Sequence, residues 1–249
     1  MWEYSLCFDN EKDSENFVDK IRPFIKETKG VVISIFLQDA YKVLVAVPIE
    51  KREQAMSLLK ENLAEMILIN YKKEYIMSKL NFEVDHSVNM RVFLQTLICF
   101  DSDVDKQIIV ESLNFDKSIY LNSFINFRLK FLKNKWDELV TLANDNIMYL
   151  LSEDSFVELI KFLISNLEYR CYAVNIFSKQ NCYLLCDMEG KVINDFLLDK
   201  NIVYDDNKLL TSLIALNPEK IIIHCNSFLK ENLLKNLYNF FSNRIEICK

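Results

Sequence analysis

The chain has 249 residues, about half of them hydrophobic and 27% charged, with a formal net charge of −6. That length allows one large domain or two small ones, the composition supports a packed core and excludes disorder, and the acidic balance disfavours broad nucleic-acid binding. Its two glycines, Gly30 and Gly190, stand far apart, which excludes Walker-type and Rossmann-type phosphate loops, because those need several glycines close together.

Trp2–Phe8 alternates apolar and polar residues and predicts a strand. Asp13 or Ser14 then caps a helix that buries Phe17, Val18, Ile21, Phe24 and Ile25 at helical spacing. Pro23 lies within that pattern, so the helix is expected to kink or to begin late. Lys29-Gly30 closes it. Val31–Leu37 and Tyr41–Val47 predict strands around a Gln38-Asp39-Ala40 hairpin, and Pro48 opens a long helical stretch to about Leu80. Short helices are expected at Val88–Cys99 and Val104–Leu113.

The most emphatic helix runs from Ser118 to Leu151, with Ile125, Leu129, Leu132, Trp136, Leu139 and Ala143 at 4-3 spacing and Phe127 and Phe131 on the opposite side. A helix apolar on more than one side is expected to lie buried. Another begins near Ser155, where Ser155 and Glu158 fit a capping box. Strands at Tyr172–Phe177, Tyr183–Cys186, Lys220–His224 and Arg244–Cys248 then frame helices at Lys208–Leu216 and Phe228–Phe241, an order that implies a mixed sheet with a crossover. The fold class is therefore mixed α/β and helix-rich, with mixed sheets in the amino- and carboxy-terminal parts joined by a long central helix. The expected division is a region of residues 1–115 and one of residues 116–249.

The longest apolar runs, such as Met66–Ile69, are far shorter than the roughly 18–20 residues of a membrane span. Met1-Trp2-Glu3-Tyr4 lacks the features of a secretory signal. Seven scattered cysteines then read as free thiols, and the expected location is cytoplasmic. Cys182 and Cys186 would lie about 13 Å apart in a strand, too far to share a zinc ion. No metal and no cofactor is expected. His224, at the carboxyl end of the Ile221–Ile223 strand, is the best single candidate for a catalytic or ligand-binding residue, because strand ends are where α/β proteins place sites. His86 reads as a solvated loop residue. Arg128, Lys130, Lys133 and Lys135 form a candidate basic patch interleaved with Phe127, Phe131 and Trp136. They divide over two flanks of the apolar stripe, which suits snorkelling side chains better than a phosphate track. Asp199, Asp205 and Asp206 read as a polar loop with a helix cap at Asp206, and Asp101-Ser102-Asp103-Val104-Asp105 as a helix start.

Three phrases carry a family resemblance: Phe124–Lys130, Leu209–Pro218 leading into Ile221–His224, and Phe240–Cys248. Together they resemble the sporulation protein family YtxC over roughly residues 118–249. The resemblance implies a sporulation-associated protein and supplies no active-site residues. Without a catalytic motif, the expected function is protein–protein contact, with another protein or a second copy as partner. The alternative is a small-ligand binder or enzyme centred on His224, and nucleic-acid binding through residues 127–136 stands third.

Overall fold

A computed structural model describes residues 1–82, 87–115, 118–146, 152–179, 182–198, 204–224 and 229–248. The chain is mixed α/β and divides into two compact units, Met1–Lys79 with Ser102–Leu139, and Leu80–Asp101 with Val140–Lys249.

In the first unit the alternating segments form Trp2–Phe8 (β1), Val31–Leu37 (β2) and Ala40–Val47 (β3), and Ile119–Tyr120 (β4) adds a short fourth strand. The sheet order is β2-β3-β1-β4, antiparallel except between β1 and β4. Gln38 and Asp39 both take positive φ, 51° and 62°, which matches the twist that a two-residue hairpin requires. Since successive side chains face opposite ways, Leu6, Phe8, Val43, Val45 and Val47 share one face. Ser5, Val31, Ile33, Ile35, Leu44 and Ala46 share the other.

Glu11–Glu27 (α1) covers the first face, with Phe17 set against Phe8 at a centroid distance of 5.4 Å. Its cap is Asn10, whose Oδ1 accepts the Asp13 N–H at 2.8 Å. The expected cap at Asp13 or Ser14 lies one turn too far in, and the helix begins at Glu11 and runs through Pro23. Gly30 follows α1 where backbone meets backbone. A Cβ there would lie 2.6 Å from the Ala46 carbonyl oxygen and 2.9 Å from Val47 Cγ1. Gly30→Ala is therefore expected to lose about 1–3 kcal/mol through overpacking against β3, read as a lower urea midpoint.

The long helical stretch after Pro48 comprises Arg52–Met66 (α2), a π-helical turn at Ile67–Lys72, and Lys73–Lys79 (α3). The helices Val88–Cys99 (α4) and Ser102–Ser112 (α5) follow, α4 in the second unit and α5 in the first. Lys72 is fully buried, its Nζ 2.8 Å from Asp105 Oδ2. Trp136 Nε1 donates to the same oxygen at 2.9 Å.

The expected single helix from Ser118 is broken. It starts as β4, continues as Leu121–Ser123 (α6) and a π-helical turn at Phe124–Arg128, and interrupts at Leu129 (φ −95°, ψ 20°) before Lys130–Asp145 (α7). Residues 147–151 lie outside the described set. The break keeps Ile125, Leu129, Leu132 and Trp136 inside while leaving Phe127 79% and Phe131 62% exposed. The second apolar side is thus an outward face, and the expectation of a buried helix fails there.

In the second unit, Ala173–Lys179 (β5), Cys182–Cys186 (β6), Lys220–His224 (β7) and Ile245–Cys248 (β8) form a mixed sheet of order β6-β5-β7-β8. β5, β7 and β8 are parallel neighbours, as the crossover reading requires. Glu153–Ser165 (α8) is capped by Ser152 rather than Ser155, and Asp206–Leu216 (α9) by Asp205 rather than Asp206. Glu231–Phe241 (α10) leads into β8. Asn217 ends α9 in the left-handed region (φ 35°) and is buried. Its Nδ2 donates to the carbonyls of Leu167 (2.8 Å), Glu168 (3.3 Å) and Ile164 (3.4 Å), while its Oδ1 accepts from Arg244 Nη1 at 2.6 Å. No helix among the described residues is long and apolar enough to cross a membrane.

Candidate functional site

The first unit's sheet has one face packed by α1 and one face open. On the open face lies a groove of about 920 Å³, floored by Ser5, Val31, Ile33, Leu44 and Ala46 and lined also by Glu3, Arg52 and Phe115. The largely apolar floor follows from register: the β2 residues that do not meet α1 are Val31, Ile33, Ile35 and Leu37, and β3 adds Leu44 and Ala46 alongside Lys42. Ser5 and Ser118 join their hydroxyls at 2.5 Å beside it. Cys7, on the same face as Ser5, has its thiol pushed up by burial, against the lowering influence of Lys42 and the Tyr120 hydroxyl. The groove therefore presents an aliphatic floor, one carboxylate, one guanidinium and no activated nucleophile among its described residues.

β2 forms the free margin of this face. Val31 is 55% exposed, Ile33 46%, Ile35 39% and Leu37 50%. The run Val-Val-Ile-Ser-Ile-Phe-Leu has the continuous apolar character of a strand buried on both faces, yet it stands at the sheet edge.

His224 ends β7, half-buried, with its Nε2 2.8 Å from Asn175 Oδ1 and its ring stacked on Phe177 at 4.4 Å. Phe177 and Cys248 are its neighbours in register on β5 and β8. The histidine is thus oriented by an amide and an aromatic ring. Its hydrogen-bond partner is the Asn175 amide, and Cys248 on β8 sets a free thiol beside it in register. Cys225 lies outside the described residues, as do His86 and Asp199.

The four basic candidates do not converge. Lys133 Nζ donates to Asn126 Oδ1 at 2.7 Å and sits 5.2 Å from the Tyr75 ring centre. Lys135 covers the exposed Phe131 ring at 5.4 Å. Arg128 and Lys130 are exposed. Of the acidic candidates, Asp205 caps α9 and Asp206 accepts from Tyr183 and Lys230. Asp105 is half of the buried pair with Lys72, a role that sequence spacing gave no sign of. Burial lifts the Cys171 thiol to about 11, and Cys186 is raised for the same reason. Among the described residues no group of three or more His, Cys, Asp or Glu could hold a metal ion.

The model of the YtxC-like family matches residues 73–246. The match reaches further towards the amino terminus than the phrases that carry the resemblance, taking in α3, α4 and α5, and it leaves β1 to β3 outside. No curated protein and no solved structure matches the chain. Two of those phrases meet in space, since Asn217 and Arg244 are hydrogen-bonded to each other. With well over half of its length matched by the family model, the chain belongs to the YtxC-like family.

Proposed function

We infer that this chain serves sporulation by protein–protein contact rather than by catalysis, and that the open face of the first unit's sheet is its docking surface. Family membership suggests a sporulation-associated protein of unknown mechanism. The observation that carries the docking reading is the exposed apolar margin of β2 continuing into an aliphatic groove. Its four exposed side chains on this face, Val31, Ile33, Ile35 and Leu37, leave on the order of 300 Å² open, within the range of the largest apolar patch of a typical monomer, which is commonly functional.

The groove suits a protein better than a small polar metabolite. A small-ligand site gathers a few convergent polar groups in a concavity, and here the Ser5 and Ser118 hydroxyls bond each other while Glu3 and Arg52 flank the aliphatic residues of the sheet. The test is replacement of the chromosomal gene in its host by Leu44→Gln, which changes the floor and leaves β2 intact, and by Ile33→Lys, which changes the margin. Both proteins are first checked for a native circular dichroism spectrum. Each folded variant is expected to lower the count of heat-resistant spores about tenfold or more. Wild-type spore counts from both would refute the docking reading.

A further inference from the structure

We propose that the occupant of the β2 edge is a second copy of the same chain, paired antiparallel through β2 about a two-fold axis at Ser34. The proposal rests on the docking reading above and names its partner. Val31–Leu37 contains no charge, no proline and no glycine, so the devices that usually keep an edge strand single are missing. β2 ends the sheet order, and the outward N–H and C=O groups of such a strand form a ready antiparallel ladder. The opposite edge, β4, has two residues. A β2-to-β4 chain of copies would therefore have almost no ladder, whereas β2-to-β2 pairing closes as a dimer.

The strand is self-complementary in this register. Ser34 meets itself, Ile33 meets the partner's Ile35, Val32 meets the partner's Phe36, and Val31 meets the partner's Leu37. Ser34 Oγ donates to Ser14 Oγ at 3.3 Å, so the even-numbered residues lie on the α1 side. Val31, Ile33, Ile35 and Leu37 of both copies then form one apolar surface across the open face. The ladder ends with the strand, since Lys29 (φ 56°) and Asp39 (φ 62°) turn away from it on either side. A slip of one residue exchanges the faces, and a slip of two shortens the ladder. Full overlap of β2 with its copy thus selects the register centred on Ser34.

Edge-to-edge pairing leaves the open face open, so the area it buries lies well below the roughly 1,200–2,000 Å² of standard stable interfaces. The dimer is accordingly weak and reversible, with a Kd in the micromolar range.

Sedimentation velocity on the full chain, at concentrations from about 1 to 200 µM around that Kd, tests this. Wild type is expected to show a monomer–dimer equilibrium. Ile33→Lys, an exposed position that leaves the fold intact, is expected to weaken it at least tenfold. A wild type that stays monomeric throughout overturns the proposal. So does a dimer indifferent to Ile33→Lys. Monomeric wild type with a spore defect in Leu44→Gln removes self-pairing and leaves docking standing, with another protein as occupant. A dimer with unaffected spores refutes docking and keeps the pairing.

Discussion

Asp105→Ala is expected to destabilise the protein by about 3–5 kcal/mol, the cost of leaving one member of a buried ion pair without the other. Lys72 is fully buried and Asp105 is 1% exposed, with 2.8 Å between Nζ and Oδ2, so water cannot replace the lost carboxylate without opening the core. Trp136 would lose its indole acceptor as well. Lys72→Met is expected to fall in the same range, because it leaves a buried carboxylate that has lost its cation and keeps the Trp136 indole donor. The double variant Lys72→Met/Asp105→Leu removes both charges and should recover most of the loss, since a buried pair holds little net advantage over well-packed apolar groups. Urea unfolding followed by far-ultraviolet circular dichroism gives all three values. Single variants within 1 kcal/mol of wild type would show that the pair is solvated in solution.

The second large effect belongs to Asn217. It occupies φ 35° and connects three carbonyls at the end of α8 to the guanidinium of Arg244. Arg244 in turn donates to the Pro218 carbonyl at 3.0 Å and stacks 4.9 Å over Tyr169. Asn217→Gly keeps the backbone conformation and removes the side-chain bonds, so its expected cost of about 2–3 kcal/mol isolates those bonds. Asn217→Leu adds left-handed strain to the same loss and should cost roughly 1–3 kcal/mol more. If glycine proves neutral and leucine costly, the backbone conformation alone matters and the hydrogen-bonded junction is energetically idle.

Segments with a clean period were legible. Trp2–Phe8 alternates, Ile221–Ile223 fills a strand flanked by two parallel neighbours, and Gln38-Asp39 marks its hairpin. Caps were misplaced by one to four residues because Asn10, Ser152 and Asp205 each precede another polar residue that fits the same preference. Periodicity identified two apolar sides around Phe127 and Trp136, but it cannot say which side meets a core. That depended on the break at Leu129. The Lys72–Asp105 pair spans 33 residues of sequence, and Lys72 within Tyr71-Lys72-Lys73 reads as one more surface lysine. The open sheet face was hidden for a related reason: Val31–Leu37 reads as a strand covered on both sides, and only the strand order shows that it stands at an edge. His224 was found where its strand predicted. What surrounds it, Asn175 and Phe177, comes from a strand 49 and 47 residues earlier.

The π-helical turn at Ile67–Lys72 bears on how this sequence can change over time. Such a turn holds one residue more than an α-helical turn would, and that surplus residue rotates everything after it by about 100° around the axis. Shortening the segment by one position would swing Lys72 away from Asp105 and carry a neighbouring side chain into its place. The extra residue and the interior charge pair are therefore a single heritable character. Lineages descending from this chain must keep both or discard both, and a homologue one residue shorter here should carry an uncharged side chain where Asp105 stands.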